Sequence, residues 1–373
     1  MKRILFIIGF FLLFTFVEII NWFCLLLDEV FYPYYHRIKI NAPVFIIGVP
    51  RTGSTFLHNI LVKDYGRFTS MKLWEAILCP SIIQKRIVLY VSSYFCIPHS
   101  KLYSYLKKID KYLFRDYFPI HPTGLFYYEE DDSLLLPVFA SQSFVYLLPE
   151  LNCFRNMVYF DDRLGERWKR MIMKFYKRGI QKHLYVFGDG KIYVAKSPFH
   201  TSKMDSLQKT FPGIRFICLI REPEQVIPST IALLTRLSKI YCACQDVRII
   251  RERVLQVINY WYNYPLKIFS ELQDEYYKII NFKDLVGHPE VVINDIYAHF
   301  GFILDKEREQ ELFKEIMNAS AYRSGLVYSL DHDGLDPETI RSRYQNVFEE
   351  LIKLSAHGNR QKEHVPFPLV KDR

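Results

Sequence analysis

The stretch from Val44 to Leu61, V-F-I-I-G-V-P-R-T-G-S-T-F-L-H-N-I-L, constrains this chain more than any other. A short apolar run, Val44 to Ile47, enters a loop holding Gly48, Pro50 and Gly53, and helical apolar spacing resumes from Thr55 to Leu61. Strand, glycine-rich loop and helix in that order build an anion site. Successive loop N–H groups and the positive end of the helix dipole face the same point. Gly48 and Gly53 are spaced as in the nucleotide-triphosphate loop G-x-x-x-x-G-K-[ST], and Thr55 takes the hydroxyl position, but Ser54 stands where the lysine belongs. The loop's cation is Arg51 instead. A polyphosphate with its metal calls for that lysine, whereas a phosphosulfate carries less charge and needs no metal.

The motif G-V-P-R-T-G-S-T-F-L-H resembles the 5′-phosphosulfate loop of sulfotransferases that use 3′-phosphoadenosine 5′-phosphosulfate (PAPS), in the branch with P-R-[ST]-G-[ST]-T-[FL]-L-H. The resemblance covers roughly residues 42 to 350 and is weakest over 81–160. It implies that Arg51, Thr52, Gly53, Ser54 and Thr55 hold the 5′ end of PAPS, and that Arg221 and Ser229 bind its 3′-phosphate. It also implies that Glu75, in L-W-E-A, is the catalytic glutamate.

The remaining pattern alternates strand and helix. Strands are expected at Phe68 to Trp74, Ile192 to Ala195, Arg215 to Ile220 and Tyr277 to Asn281. Helices are expected at Glu166 to Arg178, stopped by Gly179, and at Ser202 to Thr210, Glu224 to Leu237 and Val247 to Leu272. Such alternation predicts a P-loop-like three-layer α/β fold, a mostly parallel sheet flanked by helices. Every βα loop then emerges at one edge, where ligands bind. Arg51, Glu75, Lys196 and Arg221 all follow an expected strand, so they should line one cleft. There Lys196 and Arg51 would stabilise charge on the leaving phosphate, and Glu75, His58 and His200 are the candidate bases. His58 reads better as a histidine packed against the sheet. The run Glu129-Glu130-Asp131-Asp132 suits a helix N-terminus, and its role stays open. No histidine sits at ligand spacing from it, so no metal is expected.

Composition bounds the rest. With 373 residues, half of them apolar, the chain buries a large core, and turn signals are spread evenly, so residues 41–373 read as one catalytic domain. Seven cysteines without a C-x-x-C pair form no zinc or disulfide framework. A net charge of +9 suits an anionic co-substrate or a membrane surface, and no basic run interleaved with aromatics suggests nucleic acid.

Residues 1–40 read as a membrane anchor and neck. Ile4 to Leu27 is nearly all apolar, and as a helix it reaches about 36 Å, enough for a hydrocarbon core of about 30 Å. Glu18 inside it argues for the alternative, a monotopic helix lying in the membrane plane. For a spanning helix, Lys2 and Arg3 before it and Asp28 and Glu29 after it favour a catalytic domain on the lumenal or outer side. The expected activity is sulfuryl transfer from PAPS to a hydroxyl on a glycan, lipid or other alcohol. A P-loop kinase or nucleotide-binding protein and a non-catalytic, membrane-tethered relic of the fold are the alternatives.

Overall fold

The computed structural model describes residues 1–95, 101–117, 123–188, 190–303, 312 and 336–360. Parts of the expected segment 81–160 and of the C-terminal stretch therefore lie outside the described residues. Five strands form one parallel sheet in the order β2-β3-β1-β4-β5: β1 Val44–Gly48, β2 Phe68–Thr69, β3 Ile192–Lys196, β4 Arg215–Ile220 and β5 Tyr277–Asn281. Registers such as Phe45 with Ala195, Gly48 with Leu219 and Ile220 with Asn281 align the carboxyl ends of the strands at one edge.

Helices cover both faces, as a parallel sheet requires. The first half of the chain contributes α1 Lys2–Phe31, α2 Ser54–Leu61, α3 Leu73–Ile77, α4 Ile82–Phe95, α5 Lys101–Leu113, α6 Ser143–Leu147, α7 Phe160–Arg163 and α8 Glu166–Phe187. After β3 come α9 Met204–Thr210, α10 Pro223–Ile240, α11 Val247–Phe269, α12 Phe282–Gly287, α13 Pro289–His299 and α14 Pro337–Arg360. Side chains alternate across the strands. Val44, Ile46, Ile217 and Leu219 pack with α2 and α13, while Phe45, Ile47, Phe216 and Cys218 pack with α8, α9 and α11.

Two local expectations are corrected. The strand after α2 has two residues, not seven, because its chain turns at Ser70 into α3; Glu75 is therefore a first-turn helix residue, its carboxylate accepting the backbone N–H of Lys72 at 3.1 Å. Gly179 does not stop α8, which runs on to Phe187. A Cβ there would lie 2.3 Å from Leu134 Cδ2, so this glycine serves close approach rather than termination.

Gly48 ends β1 at φ +121°, where a Cβ would lie 2.2 Å from the carbonyl oxygen of Leu219 on the paired strand. Its N–H donates to Thr201 Oγ1, and its carbonyl accepts from the same hydroxyl, both at 2.9 Å. Backbone cannot yield as a side-chain tip can. Gly48→Ala is therefore expected to lower unfolding free energy by about 2–3 kcal/mol, measured by denaturant titration; an unchanged midpoint would refute the packing argument.

Candidate active site

The phosphate loop is a strained turn. Arg51 takes φ +67° and Gly53 φ +79°, and this left-handed alternation turns successive N–H groups to one side. Gly53 caps α2 without a side-chain hydrogen bond. Thr52 is buried and donates to Val49 O at 2.9 Å, locking the turn, while Ser54 and Thr55 are half-buried in the first turn of α2. These features suit an anion.

Arg51 stands between the arginine and the serine expected to share an anion. Arg51 Nε donates to Ser229 Oγ at 3.1 Å, and Arg221 Nη1 donates to the carbonyl of Arg51 at 2.8 Å. Ser229 lies inside α10, two turns beyond the end of β4. Arg221 is fixed from three sides: Gln225 Oε1 accepts from its Nε and Nη2, Phe282 lies beneath its guanidinium at 4.1 Å, and Tyr262 donates to its carbonyl at 2.5 Å. An arginine held flat in this way presents a fixed fork to an oxyanion.

Lys196 ends β3 fully buried, with Glu129 and Glu130 carboxylates each 3.6 Å from its Nζ. The acidic run, left without a role by the sequence, has partners throughout. Asp131 Oδ1 lies 2.8 Å from His200 Nε2, and Asp131 Oδ2 accepts from the hydroxyls of Tyr176 and Tyr193 at 2.5 and 2.9 Å. Asp132 pairs with Lys203 at 2.5 Å and accepts from Ser141 and the N–H of Gln142. The run begins a short 3-10 helix, Asp131–Val138, as its expected position at a helix start implies, but tertiary partners decide its place. Lys196, His200 and Lys203 follow one another at spacings of four and three, a pattern that went unread in the sequence as a match for the acids.

The candidate bases separate. His58 is buried, and burial with the nearby Lys196 charge holds its pKa down at about 3. Its Nε2 lies 2.8 Å from Ser70 Oγ, so it is a packing histidine. His200 belongs to the Asp131 cluster. Glu75 is buried beside His183, whose Nδ1 lies 2.8 Å from Glu75 Oε2 and whose Nε2 lies 2.8 Å from Thr69 Oγ1. Burial alone would raise the Glu75 pKa; His183, Lys85 and the Lys72 N–H outweigh it, and the net shift is downward. Glu75 is thus ionised at neutral pH. His183 went unnoticed in the sequence because it lies 108 residues from Glu75 and beyond Gly179, where the helix was expected to stop.

An apolar cleft borders the loop. Pro50 and Thr230, neighbours of Arg51 and Ser229, line it with Leu234, Val254, Ile258 and Trp261.

A parallel sheet with a lysine-free phosphate loop, and an arginine and a serine beside it, defines a group-transfer class that handles an anionic donor. Within that class the chain belongs to the sulfotransferase family, whose model matches residues 43–306. It is 26% identical over 269 residues to omega-hydroxy-beta-dihydromenaquinone-9 sulfotransferase Stf3 of Mycobacterium bovis and of Mycobacterium tuberculosis. That match takes in 70% of this chain and 63% of the length of those relatives. In fold it is similar to sulfotransferase STF9 from Mycobacterium avium, with TM-score 0.66, 17% identity and coverage of 87% of this chain and 81% of that one. It is likewise similar to STF1 from Mycobacterium tuberculosis, with TM-score 0.60, 20% identity and coverage of 88% and 83%.

The acidic run generates a stability prediction. Asp131 has its pKa held below the ordinary range: burial would raise it, but His200, Tyr176 and Tyr193 prevail. A depressed carboxylate contributes stability that is fully present above the unfolded value of about 4 and is lost as pH falls through the folded one. Asp131→Asn should therefore flatten the acid limb of the stability curve. Asp132→Ala strands the buried Lys203 ammonium and is expected to cost about 3–5 kcal/mol at neutral pH, read from urea midpoints. A loss within about 0.5 kcal/mol would mean that the pair does not hold this segment.

Proposed function

We propose that this chain transfers a sulfuryl group from PAPS to the hydroxyl of a lipid-like alcohol, in line and without a metal. The loop carries the reading: Arg51 bonds to Ser229 at 3.1 Å and to Arg221 at 2.8 Å, and Ser54 stands at the sequence position where a nucleotide-triphosphate loop has its lysine. Thr52, Gly53, Ser54 and Thr55 would cradle the 5′-phosphosulfate with their N–H groups and hydroxyls. Arg221 and Ser229 would take the 3′-phosphate, whose two charges suit an arginine fork.

In this reading the acceptor oxygen attacks sulfur as the sulfur–oxygen bond to phosphate breaks, and 3′-phosphoadenosine 5′-phosphate leaves. Lys196 and Arg51 offset the charge that develops on that phosphate. The hydroxyl proton goes to Glu75, which His183 orients. Residues 41–373 act as the catalytic unit, and residues 1–40 bind the membrane. The apolar cleft beside Pro50 and Thr230 supports an acceptor whose hydroxyl sits on a carbon chain rather than on a glycan. The relatives' name, which specifies a hydroxylated menaquinone derivative, supports the same acceptor class.

Calorimetry on the full chain in detergent should detect binding of 3′-phosphoadenosine 5′-phosphate without magnesium, with 5′-AMP much weaker. Magnesium-dependent ATP binding would overturn the reading. Arg221→Ala should weaken that binding at least about tenfold, by loss of a charge-assisted pair. Glu75→Gln should lower turnover by about 10²-fold or more at nearly unchanged affinity, followed as labelled sulfur passing from PAPS into a lipid extract. Label recovered only in the glycan fraction would refute the acceptor class alone. Normal turnover by Glu75→Gln would move the base to another residue.

A further inference from the structure

Helix α1 is the most apolar of the described helices, and Arg3, Glu18, Asn21 and Asp28 share one face. Burial along it recurs every three or four residues from Arg3 through Phe14 and Asn21 to Asp28. Arg3 donates to Glu150 and, at 2.7 Å, to the carbonyls of Leu147 and Tyr241. Asn21 donates to Ile77 O at 3.0 Å and accepts from Gln84 at 2.9 Å. Asp28 accepts the N–H groups of Ile82 and Ile83, which open α4, and pairs with Lys182 at 2.8 Å. Glu18, awkward for a spanning helix, lies on the same stripe and accepts from Asn21.

The domain thus holds α1 lengthwise over about 37 Å, more than the roughly 30 Å of a hydrocarbon core. A helix crossing a bilayer would have to leave this seat, stranding Lys182 and Asp28, whose side chains are 4% and 0% exposed. A helix that stays seated cannot cross, because the charged domain would cross beside it.

The opposite face of α1 exposes Ile8, Leu12, Phe16, Ile19, Phe23 and Leu26, each more than half accessible. It carries no charged residue between Arg3 and Asp28. Beside it, α4 exposes Ile87, Tyr90 and Val91. Exposed cations stand at the two ends, Lys2 at one and Arg37 and Lys39 beyond the other. An unbroken apolar strip flanked by cations complements an anionic lipid leaflet, with acyl chains under the strip and headgroups at its ends. We propose that α1 lies in the plane of one leaflet, outward face in lipid, and seats the domain on that membrane's aqueous side. Both ends of the chain are then on one side.

Full-length chain carrying different N- and C-terminal tags is placed in sealed membrane vesicles of known orientation and digested with protease. Both tags are cut from the same side if α1 lies in plane; protection of one tag alone overturns the proposal. Flotation with phosphatidylethanolamine–phosphatidylglycerol vesicles gives an independent reading. Wild type floats, while Leu12→Glu/Phe16→Glu floats at least about tenfold less with an unchanged thermal transition, since both residues are exposed. Equal flotation of the variant overturns the proposal, as does a wild-type chain that is soluble without detergent as a dimer through this face. Neither test depends on the donor or acceptor.

Discussion

Four consecutive carboxylates meet three basic side chains, all but Glu130 buried, and the site depends on that match. Glu129 and Glu130 flank Lys196, Asp131 takes His200, and Asp132 takes Lys203. Buried ion pairs add little net stability, since desolvation offsets most of the attraction, but a mismatched register would leave a bare charge at a cost of several kcal/mol. Only one alignment of the segment after residue 128 on the turn after β3 leaves no charge unpaired. That alignment fixes Lys196 at the carboxyl edge of the sheet, with two carboxylates each 3.6 Å from its Nζ. Specificity of position, rather than stability, is what this cluster contributes.

The phosphate loop uses strain for the same end. Arg51 carries a Cβ that disfavours φ +67°, yet it holds that angle. Its carbonyl is tied to Arg221 and its guanidinium to Ser229, so the strand ends of β1 and β4 constrain the loop together. Gly48 lets those strands approach closely enough for this to occur.

The sheet and the loop were legible in the sequence because their signals are local: apolar runs of strand length, helical spacing, and glycines at fixed offsets. The strand–helix unit that carries Arg221 and Ser229 was legible for the same reason. The partners of the acidic run were not, since 69 residues separate Asp131 from His200 and 71 separate Asp132 from Lys203. Nor was His183, which is 108 residues from Glu75. Gly179 misled because a glycine required by a neighbouring side chain looks, in sequence, like one that ends a helix. A two-residue β2 could not be told from a longer strand because Met71, Leu73 and Ala76 stay buried after the chain has turned, so apolar content continues where the strand does not.

One helix joins all these parts. Along α8, Tyr176 binds Asp131, Gly179 admits Leu134, Lys182 pairs with Asp28 of α1, and His183 holds Glu75. Spacings of three, three and one place these residues within about two turns, on the side turned away from solvent. A rigid helix carrying both contacts fixes the distance between α1 and the glutamate. The other end of α1 is tied through Arg3 to Leu147 and Tyr241, next to Tyr146 and Leu237 on the wall of the apolar cleft. In the mechanism proposed above, α8 would set the position of the Glu75 carboxylate relative to α1 through Lys182 and His183.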